Sequence, residues 1–387
     1  MALCKEWRDF MNEYIYMDNA ATTQLNTVVF EEMKKYLLEY CGNPSSIYHL
    51  GLQSKQAIDE ARLQIGKMLH ASNKEIYFTS GGTESNNWAI RGILRNKNMR
   101  GKHLITSKIE HKSVLNTFKA LEKEGYKATY LDVNKDGTID LNQLEKSIKE
   151  DTVLISIMLA NNETGVIQDI KAISKLIKDK EIIFHTDAVQ GVGKLDLDVN
   201  KLGVDLLSLS AHKFHGPKGI GALYIRKGTD IENILFGGAQ ERGLRPGTEN
   251  IASIRGMSKA LTLAKKSIDN RNKIIKDLEK YMIDQLKKKF DHIIFNGIAA
   301  KRLPGYINIA IKDISNESLL MNLDLEKICV SSGSACTSGS IKQSHVIKAM
   351  GLDKSYAVIR FSLNEENTKE EIDYVIEKMK IIINRLS

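Results

Sequence analysis

Residues 181–221 read EIIFHTDAVQGVGKLDLDVNKLGVDLLSLSAHKFHGPKGIG, and this stretch decides the fold. The runs EIIFHTD and VDLLSLS are apolar stretches of strand length, the pattern of strands buried on both faces. GIGALYIR looks like a third. Working outward, EIYFTS, KHLITS, ATYLDV and TVLISIML also read as strands. TVVFEEMKKYLLEY and QSKQAIDEARLQIGKMLH carry apolar residues at helical spacing. Seven short strands separated by helices imply an α/β fold, with a mostly parallel, doubly wound seven-stranded sheet covered on both faces. In such a sheet, ligands gather beyond the carboxyl ends of the strands.

From about Ser253 to Phe290 one long helical pattern runs into a smaller α+β unit. That unit holds LPGYINIAI, ICVSSGSACTSG, AVIRFSL and a closing helix, KEEIDYVIEKMKIIINRLS. The expected division is residues 15–260 for a large ligand-binding domain, and 1–14 with 261–387 for the smaller one.

Composition narrows the function classes. A hydrophobic content of 42% and a charged content of 27% belong to a folded globular protein rather than a disordered one. No apolar run approaches the roughly 18 residues of a membrane helix. The start, MALCKEWRDFMNEY, lacks the apolar segment of a signal peptide, so the cytoplasm is expected. Four scattered cysteines without a CxxC pair argue against a disulfide framework or a zinc site, and no metal is expected. The net charge of +8 fits a lysine-rich solvated face, with an acidic protein or tRNA partner as the alternative. DVNKDGTIDLNQLE nearly matches a calcium loop, but Gln143 stands where the bidentate carboxylate is needed, so it reads as strand, turn and helix start.

The charges at the strand ends carry the chemistry. Asp187 falls at the end of one strand, and Lys213 follows the next. Either alone has a bland reading, as a helix cap or a solvated lysine. Together they suit pyridoxal phosphate, whose aldehyde forms a Schiff base with lysine and whose ring nitrogen is held protonated by a carboxylate. TSGGTESNN puts Gly82 and Thr83 between a strand and a helix, where free N–H groups favour a phosphate. Ser210 and His212 could donate to the same group. His111 could stack on the ring and move protons, although a lone histidine is most often structural. Asn162 and Gln190 offer neutral donors. Cys336 sits among small residues in SSGSACTSGS, a context in which a thiol can reach a cofactor if nearby positive charge favours its thiolate. Cys329 reads as a core cysteine.

YMDNAATT, GNPSS, TSGGTESNN, EHKSV, NNETG, HTDAVQ, SAHKFHGPKGIGAL, GGAQERGLRPGTEN, SSGSACTS and VIRFSL occur in order over nearly the whole chain. Together they resemble the cysteine desulfurases of the NifS/IscS type, within the class V aminotransferase family of fold-type-I pyridoxal-phosphate enzymes. The resemblance implies that Lys213 carries the cofactor, in the context of Ser210, Ala211 and His212. It implies that Asp187 pairs with the ring nitrogen, Gln190 with the ring hydroxyl, and that His111 stacks and shuttles protons. Gly82, Thr83, Ser210 and His212 would hold the phosphate, and Thr248 would reach the phosphate of the other subunit of a homodimer. Asn162 and Arg360 would hold L-cysteine, the guanidinium clamping its carboxylate. Cys336, on the loop of the smaller domain, would take the sulfur as a persulfide and leave alanine. The persulfide would pass to an acceptor protein, an iron–sulfur scaffold or a tRNA-thiolation enzyme, with no direct nucleic-acid or membrane contact expected.

Three rivals remain on the sequence: a related aminotransferase or lyase that makes no use of Cys336, a nonenzymatic sulfur carrier, and a dinucleotide enzyme. The last lacks a GxGxxG after its first strand.

Overall fold

The computed structural model describes residues 13–96, 101–332 and 343–386. In chain order the strands are β1 (Ile15–Tyr16), β2 (Ile76–Thr79), β3 (His103–Ser107), β4 (Lys127–Leu131), β5 (Thr152–Ser156) and β6 (Ile183–Asp187). They continue with β7 (Leu206–Ser210), β8 (Gly221–Ile225), β9 (Ile294–Phe295), β10 (Tyr306–Lys312), β11 (Ile328–Cys329) and β12 (Tyr356–Ser362). The seven apolar runs read from the sequence form one sheet, ordered β2-β8-β7-β6-β5-β3-β4. β8 runs antiparallel to both neighbours and every other pairing is parallel.

The helices before and around this sheet are α1 (Thr27–Leu38), α2 (His49–Leu69), α3 (Gly82–Leu94), α4 (Lys112–Lys123), α5 (Leu141–Ser147), α6 (Ile170–Leu176) and α7 (Val199–Leu202). The 39-residue α8 (Ile251–Lys289) follows. Successive strand residues face opposite layers, so one apolar run feeds two cores. Leu207 and Ile105 pack with Ile65 of α2 and Met257 of α8. Leu104 and Leu154 pack with Phe118 of α4, and Leu206 and Leu223 with Trp88 of α3, on the other face. Full burial of each such side chain stabilises the fold by about 1.5–3 kcal/mol. This two-sided cover explains why the strands read as unbroken apolar runs rather than alternating ones.

The C-terminal part adds α9 (Asn316–Leu325), α10 (His345–Ala349) and α11 (Lys369–Leu386). β10 lies between β12 and β9, antiparallel to both. β1 pairs in parallel with β11, so the first described strand joins this part of the molecule. Met17, Leu278, Ile309, Phe361 and Ile376 share its core. The first half of α8 thus packs on the large sheet and the second half on the smaller one, and residue 260 lies within it. The calcium-like segment is a strand, a turn and the start of α5: Asp132 is taken up by Lys108 and Gln143, and Asp140 caps the helix. Among the described residues no helix is long and apolar enough to cross a membrane.

Candidate active site

β6 and β7 are parallel neighbours, with Asp187 opposite Ser208, so both end at the same edge of the sheet. β6 ends on Asp187, and β7 passes into a single 3-10 turn, Ala211–Lys213. The topology thereby brings the two charges to one cavity of about 320 Å³. Asp187 is 5% exposed. Its Oδ1 accepts from Val189 N at 3.0 Å and its Oδ2 from Asn86 Nδ2 at 2.7 Å. The Lys213 ammonium donates to the carbonyls of Ala20 and Ala21, at 2.7 and 2.6 Å. These carbonyls belong to NAATT, whose role the sequence did not disclose.

His111 is the N-cap of α4. Its Nδ1 accepts from Ser113 N at 3.2 Å, and Ser113 Oγ lies 2.8 Å away. A backbone N–H can only donate, so Nδ1 is unprotonated and the neutral ring carries its proton on Nε2. Burial holds the pKa of His111 below the ordinary histidine value, with Asp187 pulling the other way and Lys213 adding to the depression. The ring lines the cavity with Gln190 and Asn162.

The anion cradle is built from α3. Its N-cap is Gly81, which supplies no side-chain cap, and the first backbone acceptance from inside the helix is Ser85 N to Gly81 O at 3.1 Å. The N–H groups of the first turn before Ser85 are therefore available to an anion, with the positive end of the helix behind them. Gly82 and Thr83 line the cavity beside Ser210 and His212. A Cβ on Gly82 would lie 2.8 Å from Val189 Cγ2, so the space there depends on glycine. His212 is pushed down to about 4 by burial and by the neighbouring lysines Lys213, Lys218 and Lys194, and its Nδ1 lies 3.1 Å from Thr22 Oγ1.

Arg360 closes the opposite wall. It is 3% exposed, pairs through Nη2 with Asp18 and donates through Nη1 to Asn162 O at 2.8 Å. Its buried Nε has no partner. An orphaned N–H on a guanidinium side chain that lines the cavity suits a carboxylate, because a buried donor left unmade is costly. A carboxylate for a ring nitrogen, a lysine for an aldehyde and a glycine-lined helix start for a phosphate fit pyridoxal phosphate.

The structure brings together Lys213, Asp187, His111, Gln190, Asn162, Gly82, Thr83, Ser210, His212 and Arg360. Ala211 is buried and Thr248 exposed, and neither lines the cavity. Cys336 lies outside the described residues, while Cys329 is half-buried in β11 with its thiol pKa raised mainly by burial. The described residues on either side of Cys336 do reach the site. Ser331 exchanges backbone hydrogen bonds with Arg360, Ser344 Oγ donates to Glu163 at 2.5 Å, and His345 Nε2 donates to Glu110 O at 2.9 Å. Asn86, Ser113, Asp18 and Glu163 are thus site residues that sequence reasoning missed. All four lie in stretches quoted above for other members.

Residues 15–375 match the family described as Aminotransferase class-V. The chain is 48% identical to "Cysteine desulfurase IscS" of Dictyoglomus turgidum, over 97% of this chain and 96% of that protein. The solved structure of a "NIFS-LIKE PROTEIN" superposes with a TM-score of 0.90 at 38% identity, covering 96% of this chain and all of the other. The structure described as "SspA in complex with cysteine" gives a TM-score of 0.80 at 35% identity, covering 91% and 99%. Identity of this extent, over a site whose residues suit the cofactor, means that the chain belongs to the pyridoxal-phosphate-dependent cysteine desulfurases of the class V aminotransferase family.

Proposed function

We propose that this protein moves the sulfur of L-cysteine to Cys336, giving L-alanine and a persulfide on the enzyme. The observation that carries the reading is the cavity shared by Asp187, Lys213, His111 and Arg360, with one guanidinium N–H left unmade. The relative captured with cysteine supports the substrate.

The bound cofactor supplies an electron sink for charge that develops at the substrate Cα. The chain's residues do the rest. Asp187 would keep the ring nitrogen protonated, and Gln190 would donate to the ring hydroxyl. Gly82, Thr83, Ser210 and His212 hold the phosphate. Arg360 and Asn162 orient the cysteine carboxylate and amine end. Lys213 and neutral His111 would hold and move the protons at Cα and sulfur. The Cys336 thiolate attacks the substrate sulfur. The new S–S bond forms as the C–S bond breaks, and the substrate carbon takes a proton to become the methyl of alanine. No oxidant is needed: cysteine and a thiol become alanine and a persulfide.

A homodimer is part of the reading, with Thr248 reaching the partner's phosphate. Exposed Thr248 and the solvent-facing apolar side chains Ile47, Tyr48 and Phe236 support an interface. The persulfide would pass to an acceptor protein for iron–sulfur assembly or tRNA thiolation.

The test is alanine formation from L-cysteine with a thiol reductant, comparing wild type with Cys336→Ala after both show the yellow absorbance of bound cofactor. Alanine from wild type only, with a cysteine-dependent colour change in both, is expected. Equal activity in both would remove Cys336 as the acceptor and favour a lyase.

A further inference from the structure

Behind Gln190 lies a hydrogen-bond chain whose direction is fixed by elementary donor and acceptor rules. Gln190 Nε2 lies 3.0 Å from Ala20 O, and its Oε1 lies 2.5 Å from Tyr306 Oη. A carbonyl only accepts, so the amide must turn its nitrogen to Ala20 and its oxygen to Tyr306. Tyr306 therefore donates. Its own lone pairs are met by Lys194 Nζ at 2.8 Å. The one Gln190 N–H not used by Ala20 is left for the cavity that Gln190 lines.

The tyrosine is held in this role. Tyr306 is 2% exposed, and burial raises its pKa, so the hydroxyl keeps its proton. Its ring packs against Gly165, where φ is +73° and a Cβ would lie 2.6 Å from Tyr306 Cβ. The Lys194 amine sits 4.9 Å from the centre of the same ring. Among the described residues no carboxylate lies within ion-pair distance of Lys194, and burial together with Lys213, Arg271 and Arg360 holds its pKa well below the ordinary lysine value. A lysine kept there without a counter-ion has Tyr306 as its hydrogen-bond partner.

We propose that Tyr306, backed by Lys194, is a positioning residue that locks the Gln190 amide so that it presents a donor, never an acceptor, to the cofactor's ring oxygen. The inference rests on the reading of Gln190 given above. Ala20 O fixes which end of the amide is nitrogen; without the tyrosine hydroxyl, Oε1 loses its donor and the amide is held at one end instead of two. A donor on the ring oxygen draws electron density from it and weakens its hold on the proton shared with the Lys213 nitrogen. Losing that donor should strengthen the hold.

The experiment is a pH titration of the visible absorbance of the cofactor-loaded protein, without substrate. Tyr306→Phe, Gln190→Ala and the double variant are compared with wild type. Tyr306→Phe keeps the packed ring and removes only the hydroxyl. The midpoint for loss of the protonated form should rise by roughly one pH unit in each single variant. The double variant should rise no further, because both changes remove one effect. A shift in Gln190→Ala with none in Tyr306→Phe would overturn the role of Tyr306 while leaving Gln190 at the ring oxygen. Fully additive shifts would overturn it too, since Tyr306 would then act independently of Gln190. No shift in Gln190→Ala would overturn the reading of Gln190 and this inference with it.

Discussion

Asn86 Nδ2 lies 2.7 Å from Asp187 Oδ2 and ties the carboxylate at the end of β6 to the second turn of α3. The same nitrogen lies 2.8 Å from Ser113 Oγ, which in turn lies 2.8 Å from His111 Nδ1. The group proposed to hold the ring nitrogen and the group proposed to move protons are therefore linked through two neutral side chains. A buried carboxylate stripped of a hydrogen bond costs about 1.5–3 kcal/mol.

Asn86→Ala should accordingly weaken cofactor binding by roughly tenfold or more. Ser113 and His111 would also lose their bridge to Asp187. Equilibrium dialysis of the cofactor against the apoprotein measures the loss. Affinity unchanged from wild type would mean that Asp187 is held well enough by Val189 N alone.

Arg360 should not tolerate lysine. Its fork spans Asp18 and Asn162 O while its Nε is buried without a partner, and a single ammonium cannot reproduce three directions. Loss of one charge-assisted hydrogen bond to the substrate carboxylate predicts a fall in kcat/KM for cysteine of about 10- to 100-fold in Arg360→Lys. The cofactor absorbance before substrate addition should match wild type. Steady-state kinetics of alanine release supplies the number.

Much of this site could be read from the sequence because parallel strands obey a local rule. Asp187 and Lys213 each stand at the end of an apolar run, and adjacent runs in a doubly wound sheet end at one edge. Gly82 and Thr83 follow from the same logic at β2. The contacts that orient these groups were not legible. Asn86 meets Asp187 only because α3 crosses the end of β6, 101 positions away, and Asp18 meets Arg360 across 342 positions. No local periodicity encodes such meetings. Tyr306 lay in the quoted stretch LPGYINIAI with no role assigned, since burial of a hydroxyl shows only when its partners are known. Ala211, which the resemblance sets among the cofactor residues, is buried and packs against Gly216.

Glu110 supplies a pH dependence. It is fully buried, its Oε1 accepts from Ser107 and from Met158 N, and its Oε2 has no partner. Burial pushes its pKa up to about 8, with Asp187 adding a smaller push. Because the folded value exceeds the ordinary one, the folded protein keeps a proton that the unfolded chain releases. The stabilisation is complete below the ordinary value of 4.5 and is lost as pH rises through about 8. Glu163, pushed up to about 7, works in the same direction. Glu110→Gln keeps an oxygen for Ser107 and Met158 but cannot titrate. Its Tm should fall less than that of wild type between about pH 5.5 and about pH 8.5. Parallel thermal melts across that range decide it, and equal slopes would exclude Glu110 as the titrating group.

The cradle at Gly82 is limited by one side chain. A Cβ there meets Val189 Cγ2 at 2.8 Å, while its next neighbour, Ser210 Cβ, lies at 3.7 Å. Val189 has little room to yield, since its backbone N–H is bonded to Asp187 and its β-branched side chain has few rotamers. Gly82→Ala should therefore displace Val189 and the Asp187 turn together. An overpacking cost of about 1–3 kcal/mol would appear as cofactor binding weakened by roughly 5- to 100-fold. Adding Val189→Ala removes the methyl groups that collide, so the double variant should bind more tightly than Gly82→Ala alone. If the single variant is weak and the double variant no better, the loss comes from crowding of the phosphate itself rather than from Val189.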